Sequence, residues 1–355
     1  MSATPQALWA RLASAGLASG EMPPVAESPT PWYVRLMLCI AGFIAALFLL
    51  GFIGVGFAFV MESRIAAAAV GLMLVVAAFA IFRAAPRSDF GAMFGLAVSL
   101  AGQGLFTFGF LALFERSVGS GAWLTIALLE IGLAIVMPNY LHRVISAYAA
   151  GLALMYAFIS LGAGFLAAGL ACVVAWLWLN EAPLAKRQSM LVPIAYGLTL
   201  AFIHIEGMPF FGREWMAMPG IRVVSPWGAP WMGEVLVAGA LIATVIVLVR
   251  RSGWAWEDRK AMFAIAAAAA VGAASLKAPG IAGGLMIAIL GHANGNRVLL
   301  GLGVAGLLFY ASAYYYLLAV TLLVKSAVLA ATGAVLLAVR AIVLKTVIPE
   351  DRQDA

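Results

Sequence analysis

The chain has 355 residues, of which 65% are hydrophobic and only 10% are charged, and its mean hydropathy is +1.06. A soluble protein carries about a quarter charged residues to cover its surface, so this composition excludes a water-soluble globular protein. The formal net charge of +6 comes from short basic clusters between apolar runs, which indicates membrane topology and argues against a nucleic-acid-binding surface.

Residues 1–34 differ in character from the rest of the chain. Leu8, Trp9, Leu12 and Leu17 recur at near-helical spacing, and prolines follow them. The pattern predicts a short cytoplasmic amphipathic helix at the membrane interface, then an extended Pro-rich linker. A frayed tail with a few apolar residues is the alternative. We expect no cleaved signal peptide, because no basic segment leads directly into an apolar core.

Apolar runs fill residues 35–345, which form the predicted transmembrane domain. A helix needs about 20 apolar residues, within a range of roughly 17 to 25, to cross the hydrocarbon core. Six runs are predicted in the first half, at 36–60, 65–82, 90–114, 122–137, 144–160 and 162–179. Six more are predicted in the second half, at 190–205, 232–249, 261–275, 279–290, 298–317 and 321–344. The predicted fold class is therefore all-α: a polytopic integral membrane bundle of about twelve transmembrane helices.

The basic residues predict the orientation of these spans. With both ends inside, fifteen Lys and Arg residues fall on the cytoplasmic side, five fall outside, and Lys325 lies within the last span. Such an excess follows the positive-inside rule, so the N-terminus and the short tail 346–355 are predicted to be cytoplasmic. The runs that meet at Lys277-Ala278-Pro279-Gly280 could instead form one broken span, but merging them would place the basic C-terminal tail outside.

Polar side chains at membrane depth are candidates for a functional site, because burying them in hydrocarbon is unfavourable. In the third span, Ser99, Gln103 and Thr107 recur every four residues and form one polar stripe. Glu130 lies near the middle of the fourth span among apolar neighbours. Hydrogen bonding that merely holds helices together is the alternative role for such residues.

Lys325 is the deepest basic residue, and it shares one face of the last span with Thr321 and Thr332. We hypothesise that Glu130 and Lys325 face the bundle interior, where they pair or share a hydrated cavity with Gln103. The candidate intramembrane polar site thus comprises Gln103, Glu130, Thr321 and Lys325. Alternatively, Lys325 extends its ammonium group to the membrane surface.

The remaining ionisable residues give weaker signals. His204 and Glu206 are two residues apart and point in different directions on a helix, so no metal site is predicted there. His142 and His292 fall beside predicted cytoplasmic loops and are interpreted as solvated. We recognise no nucleophile motif, paired carboxylates, cysteine cluster or cofactor motif, so nothing in the sequence indicates an enzyme.

Several motifs carry a family resemblance. Tyr314-Tyr315-Tyr316 is followed by Thr321-Leu322-Leu323 and Lys325-Ser326. Further matching segments are Pro31-Trp32-Tyr33-Val34-Arg35-Leu36, Ala101-Gly102-Gln103, Ala278-Pro279-Gly280-Ile281 and Gly295-Asn296-Arg297. In these motifs the chain resembles the bacterial membrane-protein family catalogued as domain of unknown function 4401, over essentially its whole length. The resemblance implies a multi-span inner-membrane protein whose family has no established activity, and it places Gln103 and Lys325 within family motifs.

Three functions are compatible with these features. Transport of a small solute or ion is the most concrete, since polar groups at depth and a broken region suit a transporter. A non-catalytic membrane assembly or scaffold subunit is the second. A membrane-embedded enzyme acting on a lipid-linked substrate is the third, and it lacks a recognisable catalytic constellation. The expected partners are the lipid bilayer and another membrane protein, with no nucleic acid and no cofactor.

Overall fold

The computed structural model describes residues 5–16, 20, 32–56, 62–86, 88–114, 118–158, 163–211, 231–317, 323 and 326. These residues form α-helices, some of them joined by short turns, and no strand occurs among them. The helices are α1 (Pro5–Ser14), α2 (Trp32–Gly56), α3 (Arg64–Ala84), α4 (Asp89–Ala112), α5 (Ser120–Val136), α6 (Tyr140–Ala157), α7 (Ala163–Leu179), α8 (Gln188–Gly207), α9 (Trp231–Arg251), α10 (Arg259–Ser275), α11 (Ile281–Ala293) and α12 (Arg297–Leu317). Short 3₁₀ turns, Ala185–Arg187 and Met208–Phe211, adjoin the two ends of α8.

The helices follow the predicted apolar runs closely. Each of the first eleven predicted spans coincides with one helix, from α2 to α12, and the predicted N-terminal helix is α1. The break predicted at Lys277-Ala278-Pro279-Gly280 is confirmed, because α10 ends before it and α11 begins after it. Gly280 has a φ of +86°, a left-handed conformation that favours glycine. The last predicted span, 321–344, lies outside the described residues.

The chain is an all-helical protein with several strongly apolar helices. By length and composition, five of the helices in the described ranges could cross a membrane, at Arg64–Ala84, Asp89–Ala112, Ala185–Gly207, Trp231–Arg251 and Arg297–Tyr316. Shorter apolar helices occur at Leu36–Phe48, Ser120–Val136, Phe165–Leu179 and Ile281–Ala293. Many apolar side chains on these helices point outward, as expected where lipid replaces water.

Glycines allow several pairs of helices in the bundle to pack closely together. In the α3–α4 pair, a Cβ atom added to Gly102 would lie 2.7 Å from the carbonyl oxygen of Gly71, too near for any side chain. Gly303 on α12 is similarly close to the backbone of Ala288 on α11. Small residues that let helix backbones touch are the usual packing device within membranes. Helix α2 also packs on α4, and α5 pairs with α6. Helix α6 packs on α8, which is part of the cluster formed by α7 to α12.

Hydrogen bonds bring several helix ends together at one end of the bundle. Arg143 in the first turn of α6 donates to the carbonyl of Ser189 at the start of α8, over 2.9 Å. Arg251 at the end of α9 donates to the last carbonyl of α7. Asn294, after α11, donates to the carbonyl of Trp178 over 2.8 Å. We call this the basic end, since its residues include Arg143, Lys186, Arg187, Arg250, Arg251 and Arg297.

Candidate functional site

A buried histidine lies at the centre of a polar cluster between α4, α5 and α6. Helix α6 begins at Tyr140, because the side chain of Asn139 caps it by accepting a hydrogen bond of 3.0 Å from the backbone N–H of His142. The His142 side chain has no exposed surface. The interpretation of His142 as a solvated residue is therefore wrong: its helix starts one turn before the predicted span, and the ring points inward. His292 is exposed, as expected.

Two side chains from α4 contact the His142 ring. The hydroxyl oxygen of Ser99 lies 2.7 Å from Nε2 of His142, and the amide nitrogen of Gln103 lies 2.9 Å from the same atom. Gln103 also donates to Ser99 over 3.4 Å. Phe82 approaches the ring edge-on, with ring centroids 6.0 Å apart. The imidazole is thus enclosed by polar partners on one side and an aromatic ring on another.

The orientation of the Gln103 amide goes with one tautomer of the His142 ring. With its NH₂ group turned toward the ring, Nε2 accepts and the hydrogen of the neutral ring lies on Nδ1. Nδ1 lies 3.4 Å from the hydroxyl oxygen of Ser146, one helical turn further along α6. Ser146 in turn interacts with the carboxyl group of Glu130 on α5. Polar groups thus follow one another from Gln103 through His142 and Ser146 to Glu130, and we call these four residues the polar chain.

The polar chain is buried over its full length. Ser146 has no exposed surface, Glu130 is 3% exposed and Gln103 is 7% exposed. Among the described residues, Oε2 of Glu130 has no hydrogen-bond partner. A buried carboxyl oxygen that lacks a partner is unfavourable, which is typical of groups that change protonation or meet a ligand.

The structure brings two of the four predicted site residues together. Gln103 and Glu130 stand at opposite ends of the polar chain, joined by two residues that the sequence did not single out as site residues. Thr321 and Lys325 lie outside the described residues, so a Glu130–Lys325 pair stays a prediction.

His142 and Ser146 carried a signal that could have been recognised. Asn139 is a preferred N-cap residue, and it directly follows Met137-Pro138, which ends the preceding helix. A helix that starts there puts His142 and Ser146 four residues apart on one face. A helix with that starting point would have led to the prediction that His142 faces the inside of the bundle.

His204 and Glu206 face different environments, as predicted from their spacing. His204 is exposed in a mostly apolar groove of about 470 Å³ between α6, α8 and α12, where its Nδ1 lies 2.6 Å from the hydroxyl of Tyr148. Glu206 is buried on the other side of α8. The expectation that the chain lacks paired carboxylates is wrong, because Glu206 interacts with the carboxyl group of Glu234. This pair is separate from the polar chain and is treated below.

Comparison with known proteins identifies the family. A comparison with curated proteins and one with solved structures gave no match. A family profile matches residues 31–346, which include every helix from α2 to α12 and all four residues of the polar chain. The chain therefore belongs to the family described as Domain of unknown function (DUF4401).

Proposed function

We propose that the chain is a multi-pass protein of the bacterial inner membrane that transports a small solute or ion, and that the polar chain handles protons during transport. The proposal includes about twelve spans with both termini in the cytoplasm. Gln103 and Glu130 take part through the polar chain, and Thr321 and Lys325 on the last span complete the polar site.

The continuity of the polar chain is the observation that carries this proposal. An imidazole, a hydroxyl and a carboxyl group follow one another through a region that otherwise consists of apolar side chains. Chains of His and acidic residues inside membranes are typical of proton relays in pumps and transporters. Oε2 of Glu130 lacks a partner among the described residues, which leaves the final acceptor of the chain free to take up a proton.

The basic end supports the orientation. Six basic residues gather where α7, α9 and α11 end and where α6, α8 and α12 begin. Successive helices thus run alternately toward the basic end and away from it, as a chain that crosses the membrane repeatedly requires. Under the positive-inside rule, the basic end faces the cytoplasm.

Proton flux into vesicles tests the function. The full chain is reconstituted in lipid vesicles that contain a pH-sensitive dye, and a potassium gradient with valinomycin drives protons inward. We expect faster acidification than in protein-free vesicles, and we expect Glu130→Gln to remove the difference, because an amide of the same size cannot bind and release a proton. The matched control is Glu257→Gln, at an exposed position after α9, which should keep the wild-type rate.

One observation favours a scaffold subunit as the second candidate. Nε2 of His142 is within hydrogen-bonding distance of both Ser99 and Gln103, and such contacts also serve to hold helices together. A scaffold predicts that wild-type protein passes no more protons than empty vesicles and that Glu130→Gln lowers thermal stability. That result would overturn the transport proposal.

A further inference from the structure

A pair of ionisable groups outside the polar chain lies where α8, α9, α11 and α12 meet. Glu206 is the penultimate residue of α8, and Glu234 lies in the first turn of α9. Their carboxyl groups interact with each other, and each interacts with the backbone N–H of Gly280 at the start of α11. We call Glu206 and Glu234 the acidic pair.

Both members of the acidic pair are buried and incompletely hydrogen-bonded. Glu206 is 4% exposed and Glu234 is 9% exposed. Within the described ranges, Oε2 of each carboxyl group is buried without a hydrogen-bond partner. Two full negative charges side by side in a medium of low dielectric repel each other strongly, so such pairs do not both ionise at neutral pH.

Groups on the surrounding helices limit what the acidic pair can bind. The N-terminus of α11, which begins after Gly280, carries a partial positive charge that favours one negative charge and disfavours a bound cation. The hydroxyl of Tyr310 on α12 donates its hydrogen to the carbonyl of Ile203 over 2.8 Å, so it has no hydrogen left for either carboxylate. Both carboxyl groups interact electrostatically with that hydroxyl.

We infer that Glu206 and Glu234 form a proton-binding site in which the two carboxyl groups share one proton and the N-terminus of α11 stabilises the remaining negative charge. The neutral carboxyl donates to the charged one, as in other carboxyl dyads buried near each other. The proton supplies the partner that the two carboxylates lack when both are ionised. This site exists whether or not the polar chain conducts protons.

The acidic pair lies at the opposite end of the bundle from the basic end. Glu206 lies 17 residues beyond Ser189 on α8, which is about 25 Å at 1.5 Å per residue. Phe210 in the 3₁₀ turn after α8 packs against Tyr310, with ring centroids 6.1 Å apart. The Tyr310 ring in turn lies against Gly280, since a Cβ atom added to Gly280 would be 2.7 Å from it.

Infrared difference spectroscopy at neutral pH counts the protons on the acidic pair. Wild-type protein in lipid vesicles is compared with Glu206→Gln, with Glu234→Gln and with the double variant, and Glu257→Gln is the exposed control. We expect each single variant to lose one carbonyl-stretch band of a protonated carboxyl group, because Gln can donate to the remaining carboxylate. The double variant should lose the same single band, and the control should lose none.

The other outcomes overturn the inference. Loss of two bands in the double variant would mean that both carboxyl groups are protonated. Loss of no band would mean that both are ionised, whether alone or with a bound cation. Because Gln has the size of a protonated Glu, the variants are expected to fold, and the double variant separates one shared proton from two.

Discussion

The side-chain amide of Gln103 on α4 lies 2.9 Å from Nε2 of His142 on α6, although 39 residues separate them in sequence. In this orientation the amide donates, Nε2 accepts, and the ring carries its hydrogen on Nδ1. It also joins the α3–α4 pair to the α5–α6 pair, so the polar chain crosses a boundary between helix pairs.

The two donors to His142 should substitute for each other. Ser99→Ala or Gln103→Met alone leaves one donor for Nε2, so each should lower the free energy of unfolding by about 1 kcal/mol. The double variant leaves a buried acceptor unpaired and should lose about 1–3 kcal/mol more than the sum of the single losses. Thermal unfolding in detergent gives the comparison. If the losses in the free energy of unfolding were simply additive, Ser99 and Gln103 would not both donate to Nε2 of His142.

Two glycines on α4 should respond oppositely to alanine. Gly102→Ala places a Cβ atom 2.7 Å from the carbonyl oxygen of Gly71, so the α3–α4 pair must separate, at a cost of about 1–3 kcal/mol. Gly104 has open space around it, and Gly104→Ala should raise stability by up to about 1 kcal/mol through helix propensity. Unfolding midpoints measured side by side check this. Equal effects at the two positions would contradict the close packing.

The orientation of the bundle can be tested by labelling. In a background with Cys39→Ala and Cys172→Ala, single cysteines are placed at Lys186, near the basic end, and at Lys277, in the turn before α11. Both positions are exposed. A membrane-impermeant maleimide should label the Lys186→Cys protein from the cytoplasmic side only and the Lys277→Cys protein from the outer side only. Labelling of both from one side would rule out the proposed topology.

The sequence identified the ends of the polar chain but not its middle. Gln103 and Glu130 stand out because they are isolated polar groups within long apolar runs. His142 does not, because it lies within three residues of a helix start, where a solvated residue is the usual expectation. In strongly apolar helices such as α5, side-chain periodicity does not distinguish the buried face from the lipid-facing one.

The acidic pair could not be predicted from the sequence for a different reason. Glu206 and Glu234 lie at the ends of two helices that are well apart in sequence, and each taken alone resembles an interfacial residue. Their proximity depends on how α8 and α9 pack around α11. Helix bounds, in contrast, follow from apolar run lengths and breakers such as Pro279-Gly280, which is why they could be predicted from the sequence.

Ser146→Ala tests the account most directly, because it removes one oxygen atom from the middle of the polar chain and changes no ionisable group. The hydroxyl of Ser146 links His142 to Glu130, so its loss should stop proton movement between them. In the vesicle assay, we expect the flux of the Ser146→Ala protein to fall to the rate of protein-free vesicles while its helical content stays that of the wild type. A folded Ser146→Ala protein that passes protons at the wild-type rate would contradict the assignment of the polar chain as the proton path.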